Sequence, residues 1–359
     1  MAEKSRTGQS FILGGHGSRP VPHRPSPTGL LKTMEKELDL ITLGIVAMDY
    51  YLFPDSFSPG KEKIWAGKAG LYPGGTMGNV AAGAAKLGLK TGFVGVVGKD
   101  LFGEELKKDL EACGVDVSRL VIRRKGVTPV PVIIQDRRKV RTIIIPPFMH
   151  IRSGEVDWAY LGKGRILHTH LFDFDLCLEA ARTVEKTGTG FSLDLEVQRV
   201  RDLSDSRLNH LLRRTQWLFL NRETLETLQP GWEPMEAAKQ LKARGPKTVI
   251  VTLGAEGSLA VSDPETVVRI PSPKVKAVDA TGAGDGFAAA FFYGLLIGWP
   301  LEKTLVYASA AAAQVVQHIG ARTGQPNLQE FLQAGEAFSK HISGQRAGIG
   351  RYGKGEKKR

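Results

Sequence analysis

From Leu40 onward the chain alternates between two spacings of apolar residues. Short continuous runs rich in Val, Ile and Leu predict strands over 40–46, 91–97, 165–169, 190–194, 216–220, 248–252 and 258–262. Between them, apolar positions recur at helical spacing and predict helices over 78–88, 101–113, 175–188, 206–214, 234–243, 285–297 and 301–318. Strand–helix alternation of this kind predicts an α/β fold, a mostly parallel sheet with helices on both faces. Two regions break the rhythm. Residues 50–73 are rich in Pro, Gly and aromatics, and 126–146 read as two strands, Val127 to Ile134 and Val140 to Ile145, around the polar turn Gln135-Asp136-Arg137-Arg138. With Ile64 to Gly70 they are expected to form a small antiparallel sheet standing off the main one. Residues 1–33, rich in Gly, Pro, Ser and Arg without a hydrophobic period, read as a disordered tail, and so does 344–359. The folded unit is expected over 34–343, so a start at Met34 would cost it nothing.

The 359 residues suffice for one large core, and 42 % hydrophobic with 24 % charged residues is ordinary for a soluble globular chain. No apolar run is long enough to span a bilayer, and Phe11-Ile12-Leu13 is too short for a signal peptide, so the expected location is cytoplasmic, without membrane association. Cys113 and Cys177 offer neither a disulfide framework nor a metal-ligand spacing. The net charge of +12 raises nucleic acid as a partner, but nine of the twelve excess charges lie in residues 1–38 and 339–359. Basic ends with a nearly balanced interior imply solvated tails, and no specific nucleic acid is expected.

The candidate chemistry is concentrated at 275–298, VKAVDATGAGDGFAAAFFYGLLIG. A β-branched run, Val275 to Val278, leads into a glycine-rich turn, an acid and an apolar helix. Gly282, Ala283 and Gly284 let backbone N–H groups approach a ligand from a helix N-terminus, an arrangement that binds phosphate. An acid placed there opposes static anion binding. It fits a carboxylate, Asp285, that takes a proton from a hydroxyl attacking the phosphate.

The run Asp279-Ala280-Thr281-Gly282-Ala283-Gly284-Asp285 closely resembles the C-terminal signature of the ribokinase-like sugar kinases, the PfkB family. The segment 73–106, PGGTMGNVAAGAAKLGLKTGFVGVVGKDLFGEEL, carries a second resemblance, to the family's N-terminal signature over Gly95 to Leu106; its glycines read as structural, and Asp100 is not read as catalytic. The resemblance implies a ribokinase-like three-layer fold with a small β-sheet lid, from about 50–73 and 126–146, that excludes water from the reaction. It implies an ATP-dependent carbohydrate kinase acting on a ribose- or fructose-like sugar, with Asp285 as general base and Gly282, Ala283 and Gly284 as the anion hole. Asp49, Gly74, Gly75 and Asn79 match acceptor-binding positions. Thr252, Gly254 and Gly257, in VIVTLGAEG, and Asn221, in FLNRETLE, match the nucleotide side. Mg2+ is implied as well, but the family's N-x-x-E motif is broken here: Thr224 stands where the acid belongs, and Glu223, one place early, is the candidate replacement. Asp279 and Thr281, with carbonyls around Gly320 to Thr323, match a monovalent-cation (K+) site. Many members pair two lids in a homodimer, and here Val132, Ile134 or Ile143 are expected in that contact.

Where sugar-acid and fructose kinases of the family often carry D-x-N-x-R, this chain has Asp194-Leu195-Glu196-Val197-Gln198. Glu in place of Asn disfavours an anionic acceptor, leaving a neutral sugar or a nucleoside. His168, His170 and Asp173 are either further acceptor contacts or satisfied turn residues. Two other functions remain open: a nucleoside kinase of the same fold, which differs only in acceptor, and a catalytically impaired binding or regulatory homologue. The intact Asp285 turn argues against the latter, and the broken N-x-x-E motif for it.

Overall fold

Leu40 and Ile41 are sequence neighbours and fully buried, yet they enter two different cores. A strand points alternate side chains to opposite faces, so a strand apolar at every position must be covered on both. The computed structural model describes residues 36–351 apart from 61, 62, 139, 140, 202, 264 and 265; the 1–33 segment lies outside them. In chain order the strands are β1 (Leu38–Leu43), β2 (Ala47–Pro54), β3 (Ala66–Gly74), β4 (Thr91–Gly98), β5 (Asp116–Arg123), β6 (Val132–Gln135), β7 (Arg141–Ile144), β8 (Gly164–His170), β9 (Gly190–Leu195), β10 (Trp217–Asn221), β11 (Thr248–Thr252), β12 (Ser258–Asp263) and β13 (Thr266–Ile270). The helices are α1 (Thr76–Lys86), α2 (Leu101–Ala112), α3 (Trp158–Leu161), α4 (Phe174–Lys186), α5 (Val197–Val200), α6 (Asp205–Leu212), α7 (Arg222–Leu228), α8 (Pro234–Ala243), α9 (Ala283–Leu296), α10 (Leu301–Val315) and α11 (Leu328–Arg351).

The main sheet has the order β13-β12-β11-β10-β9-β8-β1-β4-β5 and is parallel from β11 to β5, with β12 and β13 antiparallel at one edge. Residues of α1, α2, α9, α10 and α11 share one core with the sheet, and those of α3, α4, α6, α7 and α8 the other. This is the three-layer ribokinase-like arrangement. α9 is apolar almost all round because it lies inside: Phe287, Phe291 and Phe292 are buried, and Phe291 and Phe292 meet Phe219 of β10 edge-on or tilted at 5.2 and 5.4 Å. The chain leaves β1 for β4 on one side and β8 on the other. The C-terminal ends of β1 and β8 therefore flank a topological switch point, where sheets of this kind form a ligand crevice.

The second sheet has the order β3-β2-β6-β7. It differs from the all-antiparallel lid expected. β2 starts just past the predicted first strand and runs to Pro54; it pairs antiparallel with β3 but parallel with β6. Gly44 lies in the left-handed region at φ 150° and ends β1 at Leu43, so residues 44–46 of the predicted strand form the connection into β2 of the second sheet. Val275 to Val278 is not a strand but an extended approach to the turn. α11 continues to Arg351, eight residues into the segment expected to be a tail.

Candidate active site

α9 begins without a side-chain cap. Its N-cap, Gly282, is left-handed at φ 78°, and a methyl there would lie 2.6 Å from Ala321 Cα, so only glycine closes this turn against the neighbouring loop. Ala283 N–H turns back to the Ala280 carbonyl at 3.3 Å and Gly286 N–H reaches Gly282 O at 2.9 Å; among the described residues the N–H groups of Gly282 and Gly284 make no hydrogen bond. Gly284 borders open space. Two unpaired amides at the positive end of a 14-residue helix are able to receive an anion.

Asp285 stands in the first turn of α9 and faces Asn79 of α1, whose Nδ2 donates to Asp285 Oδ2 at 2.7 Å. The opposite end of the same amide, Oδ1, accepts from Arg322 Nε at 2.8 Å. A guanidinium only donates and an ionised carboxylate only accepts, which fixes the orientation of the amide. Arg322 is itself buried; it donates to the Gly74 carbonyl at 2.8 Å and pairs with Asp109 of α2. The chain Asp109–Arg322–Asn79–Asp285 thus holds the acid in one orientation. Burial pushes Asp285 up to about 7; the Asn79 bond pulls it down, the nearby Glu196 carboxylate up, Arg322 down and Asp49 up. A carboxylate poised there switches between proton acceptor and donor near neutral pH.

Asp49 lies on β2. It is buried, and burial pushes it to about 7 against the attraction of Arg322, with Asp279 adding to the rise. It packs where Gly74 has no side chain. Gly75 caps α1 at φ 85°, its Cα pressed against Val46. Glu196, after β9, accepts from Thr76 Oγ1 at 3.3 Å. Asp49, Gly74, Asn79 and Asp285 are thus brought together around Arg322. His168 is a core residue: its Nδ1 lies 2.9 Å from Ser192 Oγ, and burial lowers it to about 3. His170 ends β8, buried and 3.9 Å from Glu196. Asp173 caps α4, accepting from Leu176 N–H at 2.8 Å. Asp100 caps α2 and accepts from Gly103 and Thr128 N–H groups, a structural role.

On the other flank, Asn221 and Thr252 are register partners at the C-terminal ends of β10 and β11. Gly254 and Gly257, at φ 60° and 103°, shape the turn from β11 into β12. The Asn221 side chain caps α7 by accepting from Thr224 N–H at 2.9 Å, and Glu223 is exposed beside it. Among the described residues, no three His, Cys, Asp or Glu side chains converge as a metal cluster. Asp279 and Thr281 do meet, through Thr281 Oγ1 donating to Asp279 Oδ1 at 2.7 Å, but the cation beside them is the Arg141 guanidinium. Arg322, Arg141 and Tyr51 were not legible as site residues, because a lone Arg in a polar loop or on a short strand has no spacing that distinguishes it.

The chain is 27 % identical over 302 residues to a nucleoside kinase of Methanothermobacter thermautotrophicus, covering 84 % of this chain and 96 % of that one. It is 27 % identical over 320 residues to a 5-dehydro-2-deoxygluconokinase of Bacillus licheniformis, covering 83 % and 95 %. The ribokinase of Arabidopsis thaliana, solved with ribose and ATP, superposes with a TM-score of 0.72 at 26 % identity, covering 83 % of this chain and 99 % of that one. The pfkB family carbohydrate kinase profile matches residues 37–328. With that match over most of its length, the chain belongs to the pfkB family of carbohydrate kinases, phosphotransferases whose acceptor is a sugar hydroxyl.

Proposed function

We propose that this kinase transfers the γ-phosphate of ATP to a hydroxyl of a neutral sugar, with Asp285 as the base. The observation that carries the reading is the Arg322–Asn79–Asp285 chain aimed at the unpaired amides of the Gly282–Gly284 turn. Asp285 takes the proton of the attacking hydroxyl, and the amides hold the phosphoryl oxygens as charge develops on them. Asp49 and the second Nδ2–H of Asn79 orient the acceptor, with the Gly74 and Gly75 backbone closing around it. Thr252, Gly254, Gly257 and Asn221 line the nucleotide flank. Mg2+ accompanies ATP and neutralises its phosphates; held mostly by phosphate and water, it needs few protein ligands, and Glu223 is the available carboxylate. Asp49 and Asp285 both feel the Arg322 guanidinium, and burial, Glu196 and Asp285 push Asp194 well above its ordinary range, which keeps it protonated. With those carboxyls partly or wholly protonated, the negative charge at this end of the crevice is that of Glu196, which acts on both Asp194 and Asp285 and disfavours an anionic acceptor. A nucleoside is the second reading, favoured by the named activity of the archaeal relative. The enzyme works in the cytoplasm, where ATP is available, and as a dimer through the lid.

A screen with ATP against ribose, fructose, tagatose, sugar acids and nucleosides, following ADP release, tests this. A neutral sugar is expected to give the highest kcat/KM; a clear preference for a sugar acid would overturn the carboxylate argument.

A further inference from the structure

Three lid strands reach into the active site, and all three seize the same four residues, 278–281. From β6, Gln135 Nε2 donates to the Val278 carbonyl at 3.2 Å. From β2, the Tyr51 hydroxyl donates to Asp279 Oδ2 at 2.6 Å. From β7, one nitrogen of Arg141 donates to Asp279 Oδ1 at 3.2 Å and to Thr281 Oγ1 at 2.7 Å. Thr281 hands the contact on, donating from Oγ1 and from its backbone N–H to Asp279 Oδ1 at 2.7 and 3.0 Å. Gly320 N–H closes the set on Oδ2 at 3.0 Å.

A monovalent cation does not fit here. The buried Asp279 carboxylate accepts five hydrogen bonds, and a carboxylate offers about four lone-pair positions. The Arg322 carbonyl in the neighbouring loop already accepts from Lys86 Nζ at 3.1 Å and Gln325 N–H at 3.2 Å, which uses both its lone pairs. An ion ligated by Asp279 Oδ1 and Thr281 Oγ1 would sit against the Arg141 guanidinium, charge on like charge.

We propose that Arg141 is the cation of this site, carried by the lid, and that the kinase needs no K+ or Na+. Arg141 is a positioning residue. Its charge balances Asp279, a carboxylate three residues before Gly282 that would otherwise oppose a phosphate at the turn, and its bond to Thr281 fixes the backbone entering Gly282. An ion from solvent is present whether the lid is open or closed. A charge on β7 arrives only when the lid lies over the site.

The proposal rests on the reading of Gly282–Gly284 as the phosphate turn, so the test has two readouts. Rates and melting temperatures are compared in potassium chloride and tetramethylammonium chloride at equal ionic strength, for the wild type, Arg141→Ala and Arg141→Lys. The wild type is expected to be indifferent to the salt in both readouts. Arg141→Ala is expected to lose about tenfold or more in kcat in tetramethylammonium, the worth of one hydrogen bond to a charged group. Potassium or guanidinium should restore it, with KM for ATP changing less than kcat, and Arg141→Lys should stay salt-independent. A wild-type rate raised severalfold by K+, or an Arg141→Ala protein that neither ion restores, overturns the proposal. An Arg141→Ala melting temperature that rises with K+ while kcat is unchanged upholds the replacement and overturns the phosphate turn instead.

Discussion

Asp285 is subject to opposite demands from folding and from chemistry. Its ordinary value is 3.8 and the fold lifts it to about 7, so the native state binds a proton more tightly than the unfolded chain does. The stability gained from that proton is complete below about pH 4 and is lost as pH rises through about 7. Asp49, also lifted to about 7, acts in the same direction. The ligand-free protein is therefore expected to melt at a lower temperature at pH 8 than at pH 5.5, and Asp285→Asn to flatten that slope and raise the melting temperature at pH 8. The same variant is expected to lose about 10²–10⁴-fold in kcat, with ATP affinity little changed. An Asp285→Asn protein that kept half its kcat would show that another group takes the proton. In the wild type, kcat/KM is expected to fall as pH drops below about 7, as the base becomes protonated. Arg322 contributes without touching substrate. Arg322→Gln leaves Asn79 Oδ1 and the Gly74 carbonyl without their donor, and a buried polar group left so costs about 1–3 kcal/mol. The expected result is a lower melting temperature with a larger loss in kcat than in ATP affinity; a purely structural role would leave kcat unchanged in the folded fraction.

The turn from Asp279 into α9 combines two glycines with different duties. Gly282 is fixed by backbone conformation and by the approach of Ala321; Gly284 is free of protein contact on the side where a methyl would project. Gly282→Ala is expected to lower both melting temperature and activity. Gly284→Ala is expected to fold as the wild type does, with its melting temperature unchanged and its KM for ATP raised, because the methyl stands where the phosphate approaches. Equal effects on stability would show that the two glycines share one structural task. The central strands and the α1, α2, α4, α6, α8, α9 and α10 helices were legible because burial on one or both faces forces an apolar pattern. The main-sheet strands that escaped, β5 and β13, are its two edges, half solvated and carrying Arg119, Arg123 and Arg269 among their apolar residues. α11 escaped for a related reason. Its buried Phe331, Phe338 and Ile342 form a narrow stripe on an otherwise polar helix. The site was legible where a ligand must approach backbone, at the glycine turns. It was not where a distant loop supplies Arg322 or the lid supplies Arg141, since only the fold brings 79, 141, 285 and 322 together.

The lid is a sheet with two faces, and its register decides what each face meets. Tyr51 points at Asp279, so its row, Gly70, Tyr51, Ile133 and Ile143, lies over the active site. The adjacent row, Leu71, Tyr50, Val132 and Ile144, points away, and Leu71 and Ile144 are about half exposed. Alternation puts Val132 and Ile134 on the face opposite Ile143, but Ile134 is buried there and Ile143 is partly exposed, so of the three expected in a lid contact Val132 lies in the outward row. A one-residue step along a strand reverses the face, and the apolar run Ile143-Ile144-Ile145 offers no polar residue to mark it. An outward row of four apolar side chains on a short sheet with open edges is a surface that water disfavours, and a second copy of the same row is its natural complement. We predict a homodimer in which the Leu71–Ile144 rows of two lids meet. Ile144→Asp places a charge in that contact and is expected to give a monomer by light scattering at micromolar concentration. Ile143→Asp, its neighbour, is expected to remain dimeric and to raise the acceptor KM, because its charge faces the crevice. A wild-type enzyme that is monomeric and fully active would end the dimer reading. A dimer dissociated by Ile143→Asp and left whole by Ile144→Asp would reverse the assignment of the two faces.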